Sequence, residues 1–479
     1  MAKKRRKYSS AKMAAQPNPV ALHPPEEWPE ELANLRFPAN DAPREEEPAA
    51  SRESAPGSML NWLFVDLNSY FASVEQQVRP ELRGRPVGVV PMMADTTVCI
   101  AASYEAKAFG VRTGTIVADA KRMCPEIVLV EGRHEIYTEY HHRVVEAVES
   151  CVPVTAVCSI DEMACRLIGR ERPLRAALDL GIRVKRAIRE KVGECLRSSV
   201  GLATNRYLAK VASDMEKPDG LVALPLDILP EALHQLTLRD LPGIGARTEK
   251  RLNEKGIRTM DDLLALDREH AGEMWGSVWG ERLFHWLAGE DFEMGELEHQ
   301  KSISHSHVLA PEMRDAEKAW AVAHKLLHKA AMRLRSAGLW ASHIGLAIGF
   351  AVPRGEGTPV SRFGVPARGW RSELKLSECQ DNQTLIAALR RLWESRPSGE
   401  QYEHPYFIAV QLNNLVPDRL HTLALFDGLE EEQSRTRLNA TMDQINDKYG
   451  MSTLAPAAML TAYKAAPTRI AFNAIPDLF

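Results

Sequence analysis

The sequence predicts an α+β fold in several domains, and three features of its patterning carry that prediction. Between residues 59 and 238, apolar strands and helical segments follow the order strand, helix, hairpin, helix, strand. An insertion from about residue 77 to 151 interrupts this order after the first helix. A second α/β unit follows residue 300. Short antiparallel strands with helices on one face are typical of a ferredoxin-like sheet, which we expect for the first unit.

Length and composition limit the possible classes of protein. The 479 residues are 45% hydrophobic, which is ample for two to four domains. The formal net charge of −4 does not indicate a nucleic-acid binder for the chain as a whole. No apolar run has the ~18–20 residues of a membrane span, and we expect a soluble, cytoplasmic protein without a signal peptide. The seven cysteines show no CxxC or zinc-finger spacing, so we expect most of them in the core.

The first 58 residues have the composition of a disordered tail. Proline and glutamate are dense in "PNPVALHPPEEWPEE", and apolar periodicity is absent. The basic cluster "KKRRK" (Lys3 to Lys7) could be a nuclear address or a nucleic-acid arm, or simply part of a solvated tail.

The elements of the first unit can be placed in order. Leu63 to Val65 predict a buried strand, and a helix follows from Ser69. In the insertion, "PVGVVPM" and "TTVCIAAS" predict strands, and "YEAKAFGV" predicts a helix closed by Gly110. "VTAVCSIDEMACRLIG" predicts a hairpin and "LRAALDLGIRVKRAIREKV" an amphipathic helix. "RSSVGLAT" predicts a strand, and "NRYLAKVASDMEK" a helix that ends at "PDG".

Three acidic residues lie where these strands end. Asp66 ends the first strand, and Asp161 and Glu162 occupy the turn of the hairpin. Because the first strand lies beside the middle hairpin in a ferredoxin-like sheet, the carboxylates could converge, and a divalent cation would relieve their repulsion. Oxygen-only ligation favours Mg²⁺ or Mn²⁺, and a two-metal site of this kind carries nucleotidyl transfer. The alternatives are a solvated turn and, for Asp66, a helix cap.

Cationic residues follow on nearby helical segments. Lys107 lies one turn past Tyr104, and Arg206, Lys210 and Lys217 lie on or just after the helix of "NRYLAKVASDMEK". Lysines near a carboxylate–metal site can neutralise triphosphate oxygens. Solvated lysines are the alternative.

Two later segments indicate contact with a phosphate backbone. In "LTLRDLPGIGARTEKRLNEKGIRTMDDLLAL", Gly243 and Gly245 form a tight turn between helical segments, which predicts a helix-hairpin-helix that can hold one phosphate. Between residues 301 and 410, "AEKAWAVAHKLLHKAAMRLRSAG" predicts a helix, and "ASHIGLAIGFAV" and "PYFIAVQL" predict strands. This unit has fifteen Lys/Arg against ten Asp/Glu, a surplus of five that suits DNA.

Five motifs in one order resemble a known family. "FVDLNSYFASVEQ", "SYEAKAFGV", "SIDE", "GLATNRYLAKVASDMEKPDG" and "LPGIGARTEKRL" together resemble the Y-family, or translesion, DNA polymerases over roughly residues 60–415. The bacterial polymerase IV and polymerase V types both stay open. The resemblance implies a right-hand polymerase with these parts: a ferredoxin-like palm (59–76 and 152–238), small fingers (77–151), a helix-hairpin-helix thumb (239–295), an α/β little finger (300–415) and a C-terminal tail (416–479).

The resemblance also implies a metal site and its chemistry. Asp66, Asp161 and Glu162 match the family's catalytic metal ligands, and the Leu67 carbonyl matches a backbone ligand. Two Mg²⁺ ions are implied, with Mn²⁺ possible. The primer 3′-hydroxyl attacks the α-phosphate of a deoxynucleoside triphosphate, and pyrophosphate leaves. An open site tolerates damaged template bases at a cost in fidelity, as in the SOS response to DNA damage.

Other positions match the family's nucleotide and DNA contacts. Phe71 matches the steric gate that excludes a 2′-hydroxyl, and Tyr104 and Lys217 match triphosphate-binding positions. Lys107 stands where the family usually has arginine, and a lysine loses the bidentate fork. Asn68 stands where many relatives have a second aspartate. Gly243, Gly245 and Lys210 are the expected contacts of a monomeric enzyme with primer–template DNA.

The C-terminal region contains a candidate partner-binding peptide. In "TLALFDG", Leu423, Leu425 and Phe426 resemble the bacterial sliding-clamp-binding peptide, although Thr422 replaces the usual leading glutamine. An ordinary packing segment is the alternative. "AIPDLF", residues 474–479, is a second and weaker candidate.

Three functions remain to be separated. The first is an active translesion polymerase, which the presence of all three acids favours. The second is a catalytically inactive scaffold of the same fold that binds DNA and the clamp. The third is another palm-type enzyme such as a cyclic-nucleotide synthase, against which the helix-hairpin-helix and the basic unit argue, since a cyclase needs no grip on a duplex.

Overall fold

The computed structural model describes most of the chain between residues 59 and 466. The described ranges are 59–95, 97–291, 301–351, 367–422, 429–450, 453–463 and 465–466. Of these residues, 59–83 and 140–291 form one compact unit, and those within 84–139 and 301–466 form another. The predicted N-terminal tail, the peptide residues Leu423, Leu425 and Phe426, and "AIPDLF" lie outside the described residues. No helix in these ranges has the length and apolar character needed to cross a membrane.

Helices and strands are interspersed along the chain. Up to residue 291 the elements are β1 (Trp62–Leu67), α1 (Tyr70–Val78), β2 (Val87–Val90), β3 (Ala101–Ala102), α2 (Tyr104–Ala108), α3 (Val117–Met123), β4 (Val128–Glu131), α4 (His134–Glu149), β5 (Ala156–Val157), β6 (Glu162–Arg166), α5 (Leu174–Lys191), β7 (Ser198–Ala203), α6 (Arg206–Met215), β8 (Leu221–Leu224), α7 (Ala246–Glu254), α8 (Met260–Leu264), α9 (Arg268–Trp275) and α10 (Val278–Leu287). After residue 300 they are β9 (Ser302–Val308), α11 (Ala316–Ser336), β10 (Leu339–Ala351), β11 (Ala367–Cys379), α12 (Asn382–Glu394), β12 (Pro405–Pro417) and α13 (Leu429–Tyr449).

The palm sheet has the order β5-β6-β1-β7-β8. β1 lies at its centre, antiparallel to β6 and β7, so its apolar run is buried as predicted, with Leu63 and Val65 fully enclosed. Helices α5 and α6 pack on this sheet. Gly201 in β7 permits the close approach of α6, because a Cβ there would lie 2.0 Å from the Ala209 carbonyl oxygen. This packing places α6 beside the end of β1.

The insertion forms a sheet of its own, in which β2 pairs antiparallel with β3 and parallel with β4. The predicted strand "TTVCIAAS" is shorter than expected, since only Ala101 and Ala102 are extended in the ladder. Cys99 and Cys124 belong to the small apolar core of this region. Cys165 and Cys379 are also buried, which agrees with the expectation that most cysteines are core residues.

The tight turn predicted at Gly243 and Gly245 lies between a 3-10 turn, Leu238–Asp240, and helix α7, so the helical segment before it is shorter than expected. Gly243 has a φ of +90°, and Gly245 precedes the first turn of α7. A Cβ at Gly243 would also lie 3.0 Å from the Trp279 ring, so both conformation and space favour glycine there. Four helices, α7 to α10, make up this thumb region.

The little-finger sheet has the order β11-β10-β12-β9, and all its described pairs are antiparallel. The sequence predicted only the two central strands, β10 and β12. The inward side chains of these strands, such as Ile344, Ile348 and Val410, are buried in one core with α11 and α12. The opposite face of the sheet carries no packed helix among the described elements.

Part of the predicted C-terminal tail is folded onto the little finger. Helix α13 packs on α12, and the C-terminal segment (described residues 453–466) packs on α11. Lys325 on α11 donates to the carbonyl oxygens of Tyr463 at 2.6 Å and Ala465 at 2.7 Å. Ala462 and Ala466 belong to the little-finger core. These contacts therefore make the segment part of the domain.

Candidate active site

The candidate site lies at one edge of the palm sheet, where β1 and β6 are adjacent. Their antiparallel register pairs Asp66 directly with Glu162. Asp66 is the penultimate residue of β1 and is only 5% exposed, while Glu162 is the first residue of β6. The convergence expected from the ferredoxin-like order thus places these two carboxylates on neighbouring strands.

Lys210 on α6 neutralises this pair. Its Nζ donates to Asp66 Oδ2, lies 2.9 Å from Glu162 Oε1, and lies 3.0 Å from Asp214 Oδ1 one helical turn away. Burial opposes the charged form of Lys210, but Asp66, Asp214 and Glu162 outweigh it and raise the pKa of the ammonium above its ordinary value. Lys210 was predicted as a DNA contact, whereas its ammonium is enclosed among three carboxylates.

Lys217 supplies a second positive charge from the loop after α6. Its Nζ lies 2.8 Å from Asp66 Oδ2 and 2.8 Å from Asp214 Oδ1. Burial again opposes the charge, and the two aspartates again outweigh it, so the pKa of Lys217 is raised. Asp66 is therefore held between two ammonium groups.

Asp161 occupies the turn before β6 and faces a different partner. Ser159 Oγ donates to its Oδ1 at 2.6 Å, and the backbone carbonyl of Asp161 accepts from Leu67 N at 2.9 Å. Burial raises the pKa of the Asp161 carboxyl, and the nearby charges of Asp66 and Glu162 raise it further. Negative charge at this edge therefore exceeds the positive charge of Lys210 and Lys217, and a bound cation would reduce the excess.

The three predicted ligands do not form a preformed metal site. Within the described ranges, no group of three or more His, Cys, Asp or Glu side chains is placed to hold a metal ion. The physical reason is on α6, because the Lys210 ammonium lies between the carboxylates that a cation would share. The donor set still fits a hard divalent cation by its chemistry, since it consists of oxygen atoms with an excess of negative charge.

The remaining predicted nucleotide contacts lie on two helices. Phe71 is the second residue of α1 and contacts Tyr70, with ring centroids 5.8 Å apart. Tyr104 begins α2, and Lys107 Nζ lies 4.2 Å from the centroid of its ring. The predicted spacing of one helical turn between Tyr104 and Lys107 is therefore correct.

Sequence reasoning missed Asp214 and Ser159. Asp214 is four residues after Lys210 and three before Lys217, a spacing that places all three on one side of α6 and its C-terminal end. That spacing was a usable signal. Ser159, two residues before Asp161, was a weaker one, because a serine beside an acidic turn has many other uses.

Three family models match consecutive parts of the chain. Residues 65–214 match the impB/mucB/samB family, residues 300–425 match its C-terminal domain, and residues 239–291 match the "DNA polymerase-iota, thumb domain". The matched ranges contain the predicted site residues, with the exception of Lys217 and Phe426.

Curated relatives and a solved structure agree with these matches. The chain is 32% identical over 406 residues to a DNA polymerase IV of Moorella thermoacetica, which covers 83% of this chain and 96% of that protein. It is 30% identical over 404 residues to a DNA polymerase IV of Pelotomaculum thermopropionicum, with 83% and 95% covered. The structure of a "Y-family DNA polymerase chimera Dbh-Dpo4(243-245)-Dbh" has a TM-score of 0.60 at 22% identity and covers 75% of this chain and 100% of its own.

Proposed function

This chain belongs to the impB/mucB/samB family of Y-family translesion DNA polymerases, and from that premise we propose that Asp66, Asp161 and Glu162 bind its catalytic metal ions. It is a DNA-directed DNA polymerase of the polymerase IV type. The observation that carries the proposal is the pairing of Asp66 with Glu162 across β1 and β6, with Lys210 and Lys217 on the same carboxylates.

Electrostatics supports a metal-dependent reaction at this edge. Two Mg²⁺ ions, or Mn²⁺ in their place, would be held by Asp66, Asp161 and Glu162 with the Leu67 carbonyl, all oxygen donors. When bound, the ions stabilise the attacking and the leaving oxygen of nucleotidyl transfer. Burial and the charges of Asp66 and Glu162 raise the pKa of Asp161, so a bound divalent cation would favour its ionised form.

The lysines supply the protein's own charge to the reaction. Lys217 lies on a loop, with its side chain 30% exposed, so it can turn from Asp66 and Asp214 to a triphosphate oxygen. Lys210 is more deeply held, with 17% of its side chain exposed, and would keep the carboxylates from repelling one another. We therefore assign nucleotide binding to Lys217 and charge balance to Lys210.

Three other residues are proposed, each on its own helix position, as contacts of the nucleotide. Phe71 would lie under the sugar and exclude a 2′-hydroxyl. Tyr104 and Lys107 would contact the triphosphate, and the cation–π contact between them keeps the Lys107 ammonium beside the Tyr104 ring. An ammonium offers a point charge where a guanidinium would offer a fork, so we expect weaker orientation of the triphosphate.

The outer face of the little-finger sheet is a suitable DNA surface. Its cross-strand rows contain small residues, for example Ala347 on β10, which pairs with Ala409 on β12 and with Arg371 on β11. Small side chains allow a phosphate backbone to approach, and Arg371 and Lys375 are exposed on the edge strand. We propose that this face contacts primer–template DNA. We propose separately that the turn at Gly243 and Gly245 also contacts it.

Bypass of damaged bases with low fidelity belongs to the same proposal. We also propose that the enzyme works as a monomer and binds a sliding clamp through Leu423, Leu425 and Phe426. The described residues on either side of that peptide are held to the little finger, since Thr422 N donates to Glu378 Oε2 at 3.3 Å and α13 packs on α12.

Primer extension tests the function and the metal site together. Purified protein, Mg²⁺ and deoxynucleotides should extend primers on intact and abasic-site templates. Asp161→Ala should abolish extension while primer–template binding, measured by fluorescence anisotropy, is retained. Asp179→Ala, which changes an exposed aspartate on α5, should extend as wild type does.

The outcome also separates the rival functions. If the wild type binds primer–template but extends nothing, the polymerase proposal fails unless adding the sliding clamp restores extension. Binding without extension in both conditions would establish the scaffold, and product made from nucleotide without a primer would establish a cyclase.

A further inference from the structure

The loop that carries Lys217 is held by a small network of hydrogen bonds inside the palm. It joins α6 to β8 and contains Asp219, a non-glycine residue with a φ of +63°. Such a conformation is costly for an L-residue unless the surroundings hold it. The chain on both sides of Asp219 therefore needs partners that fix it.

Asn68 provides the inner partner. Its Oδ1 accepts from Asp219 N at 2.8 Å, and its Nδ2 donates to Ser199 Oγ at 3.1 Å. Ser199 Oγ in turn accepts from Gly220 N at 3.3 Å and donates to the Glu216 carbonyl at 3.1 Å. One hydroxyl thus uses its donor and both acceptor sites, and the amide and the hydroxyl together fix the loop backbone at three residues.

Lys185 on α5 holds the opposite side of the loop. Its Nζ donates to the Gly220 carbonyl at 3.0 Å and lies 3.0 Å from Asp219 Oδ1. The loop is therefore clamped between a neutral amide near the carboxylate edge and an ammonium on α5.

Asn68 is itself immobilised two residues from Asp66. It is 2% exposed, its N donates to the Arg197 carbonyl at 2.8 Å, and its carbonyl accepts from Ser73 Oγ at 2.7 Å. The Lys217 loop is consequently tied to the same end of β1 that carries Asp66.

An amide suits this place better than a carboxylate would. A carboxylate could accept from Asp219 N but could not donate to Ser199 Oγ. Ser199 would then have to turn its proton from the Glu216 carbonyl to the new acceptor. A further negative charge would also stand beside Asp66, where carboxylates are already in excess.

We propose that Asn68 is a positioning residue for nucleotide binding, which acts with Ser199 to hold residues 216–220 so that Lys217 faces the Asp66 edge. The inference rests on the proposed role of Lys217 as a triphosphate contact. It predicts that loss of the amide weakens binding of the incoming nucleotide more than it slows the chemical step, since the Asn68 side chain bonds the loop and Ser199 and is outside the proposed ligand set.

Single-nucleotide incorporation by the full chain tests the proposal. Asn68→Ala and Ser199→Ala should each raise KM for the deoxynucleotide about tenfold, the factor that one lost hydrogen bond of ordinary strength gives, with kcat changed less than about threefold. Asn68→Asp, which keeps the acceptor for Asp219 N, should fall between wild type and Asn68→Ala.

A double-variant cycle with Lys217 decides whether Asn68 acts through the loop. Lys217→Ala should itself raise KM, and adding Asn68→Ala to it should raise KM little further. Hydrogen exchange of the amides of residues 216, 217, 219 and 220 should quicken in Asn68→Ala without any substrate present, a readout independent of activity.

The matched control is Asn61, an amide at the other end of β1. Its Nδ2 donates to the Thr204 carbonyl at 2.7 Å. Asn61→Ala should lower the unfolding temperature as Asn68→Ala does but leave KM unchanged. Unchanged KM in both Asn68→Ala and Ser199→Ala, or full additivity with Lys217→Ala, would overturn the proposal. Unchanged KM in Lys217→Ala would instead overturn the assigned role of Lys217.

Discussion

Lysines in two regions of this chain, partly buried in the palm and buried on α11, have different partners. In the palm, the ammonium groups of Lys210 and Lys217 lie against the carboxylates of Asp66 and Asp214. On α11, Lys325 donates to three backbone carbonyl oxygens of the C-terminal segment, at 2.6 to 3.4 Å. Burial opposes the charge in both places. The neighbouring carboxylates raise the pKa of the palm lysines, whereas burial lowers the pKa of Lys325.

The difference shows how to separate a functional charge from a structural one. Carboxylates can exchange one cation for another, so a metal ion can replace an ammonium group at Asp66, and that ammonium group can then bind a phosphate. A backbone carbonyl oxygen is fixed in one chain segment, so the lysine that binds it holds that segment in place. We therefore expect changes in the palm to alter turnover with little change in stability, and changes around α11 to do the reverse.

The largest effect should come from Asp66. Asp66→Asn removes the carboxylate that the two lysines share and that we assign to the metal, so kcat/KM should fall on the order of 10³-fold. The unfolding temperature should change little, because Lys210 keeps Glu162 and Asp214 as partners. Steady-state incorporation and thermal unfolding measure the two quantities.

Asp214→Asn is the matched control for that change. Asp214 contacts the same two ammonium groups but is outside the proposed ligand set. It should lower kcat/KM by about tenfold, the effect of one lost ion pair. Equal losses in the two variants would mean that the carboxylates act only as partners of the lysines, and the distinction drawn for the palm would fail.

Removal of the C-terminal segment should have the next largest effect. A chain that ends at Gly450 leaves Lys325 in a buried place without its carbonyl partners, so the little finger should lose about 4 kcal/mol of stability. Hydrogen exchange of β10 and β12 amides, compared between the shortened and the full-length protein, reports this loss, with β1 and β7 amides as the internal reference.

Lys325→Met separates the charge from the packing. In the shortened chain this change removes the unpartnered ammonium, so it should restore part of the lost protection of β10 and β12. Unchanged protection on shortening would show that the segment is not part of the domain. Lys325 could then not be contrasted with the palm lysines as a structural charge.

The strands that the sequence predicted are those with the most apolar surroundings. β1 is central in its sheet and fully buried along Leu63 to Val65, so its pattern was unmistakable. The edge strands β9 and β11 were missed. In β9, which reads Ser-Ile-Ser-His-Ser-His-Val, only Ile303 is buried, and β11 alternates exposed polar with partly buried residues. An edge strand with one open face gives a weak apolar signal.

The positions of site residues that depend on the order of strands in the sheet could be predicted from the sequence. The positions that depend on how closely a helix packs on the sheet could not. Asp66 and Glu162 come together through register, which the strand order implied. The place of Lys210 depends on how closely α6 approaches β1 and β7 at Gly201, a distance that no spacing of residues encodes. The same holds for Asn68 and Asp219, whose contact spans 151 positions of the chain.

A substitution at Asp443 on α13 is a third test of the contacts that stabilise the little finger. Arg335 Nε and Nη2 donate to its two carboxylate oxygens at 2.5 and 2.8 Å, and the Arg335 side chain is 7% exposed. Asp443→Asn leaves a buried guanidinium without its charge partner, so the little finger should lose about 3 kcal/mol. Protection of α12 amides should fall, with kcat unchanged at saturating DNA.

The matched change is Arg335→Met together with Asp443→Leu. Removal of both charges should cost less than Asp443→Asn alone, because no unpaired ion remains. A fall in kcat without loss of protection would mean that a charged residue outside the palm contributes to the reaction. The expected separation between effects on turnover and effects on stability would then not hold.

The smallest effect is a dependence of little-finger stability on pH. Burial lowers the pKa of His305 to about 4, helped by the charges of Lys329 and Arg333, and burial likewise lowers the pKa of His328 to about 4. Below the unfolded value of about 6.5 the unfolded chain binds protons that the folded chain does not. The stability is therefore fully present above pH 6.5 and falls as the pH drops toward 4, by about 2 kcal/mol in total at pH 6.

Gln in place of both histidines removes the titrating groups and should flatten this dependence in the β9 and α11 amides, measured by hydrogen exchange corrected for the intrinsic rate at each pH. Amides of β1 and β7 in the palm provide the comparison, and their protection should respond equally in the variant and the wild type. A pH dependence that survives the double change would mean that another group of this core titrates, such as His324 on α11, whose pKa is also lowered by burial.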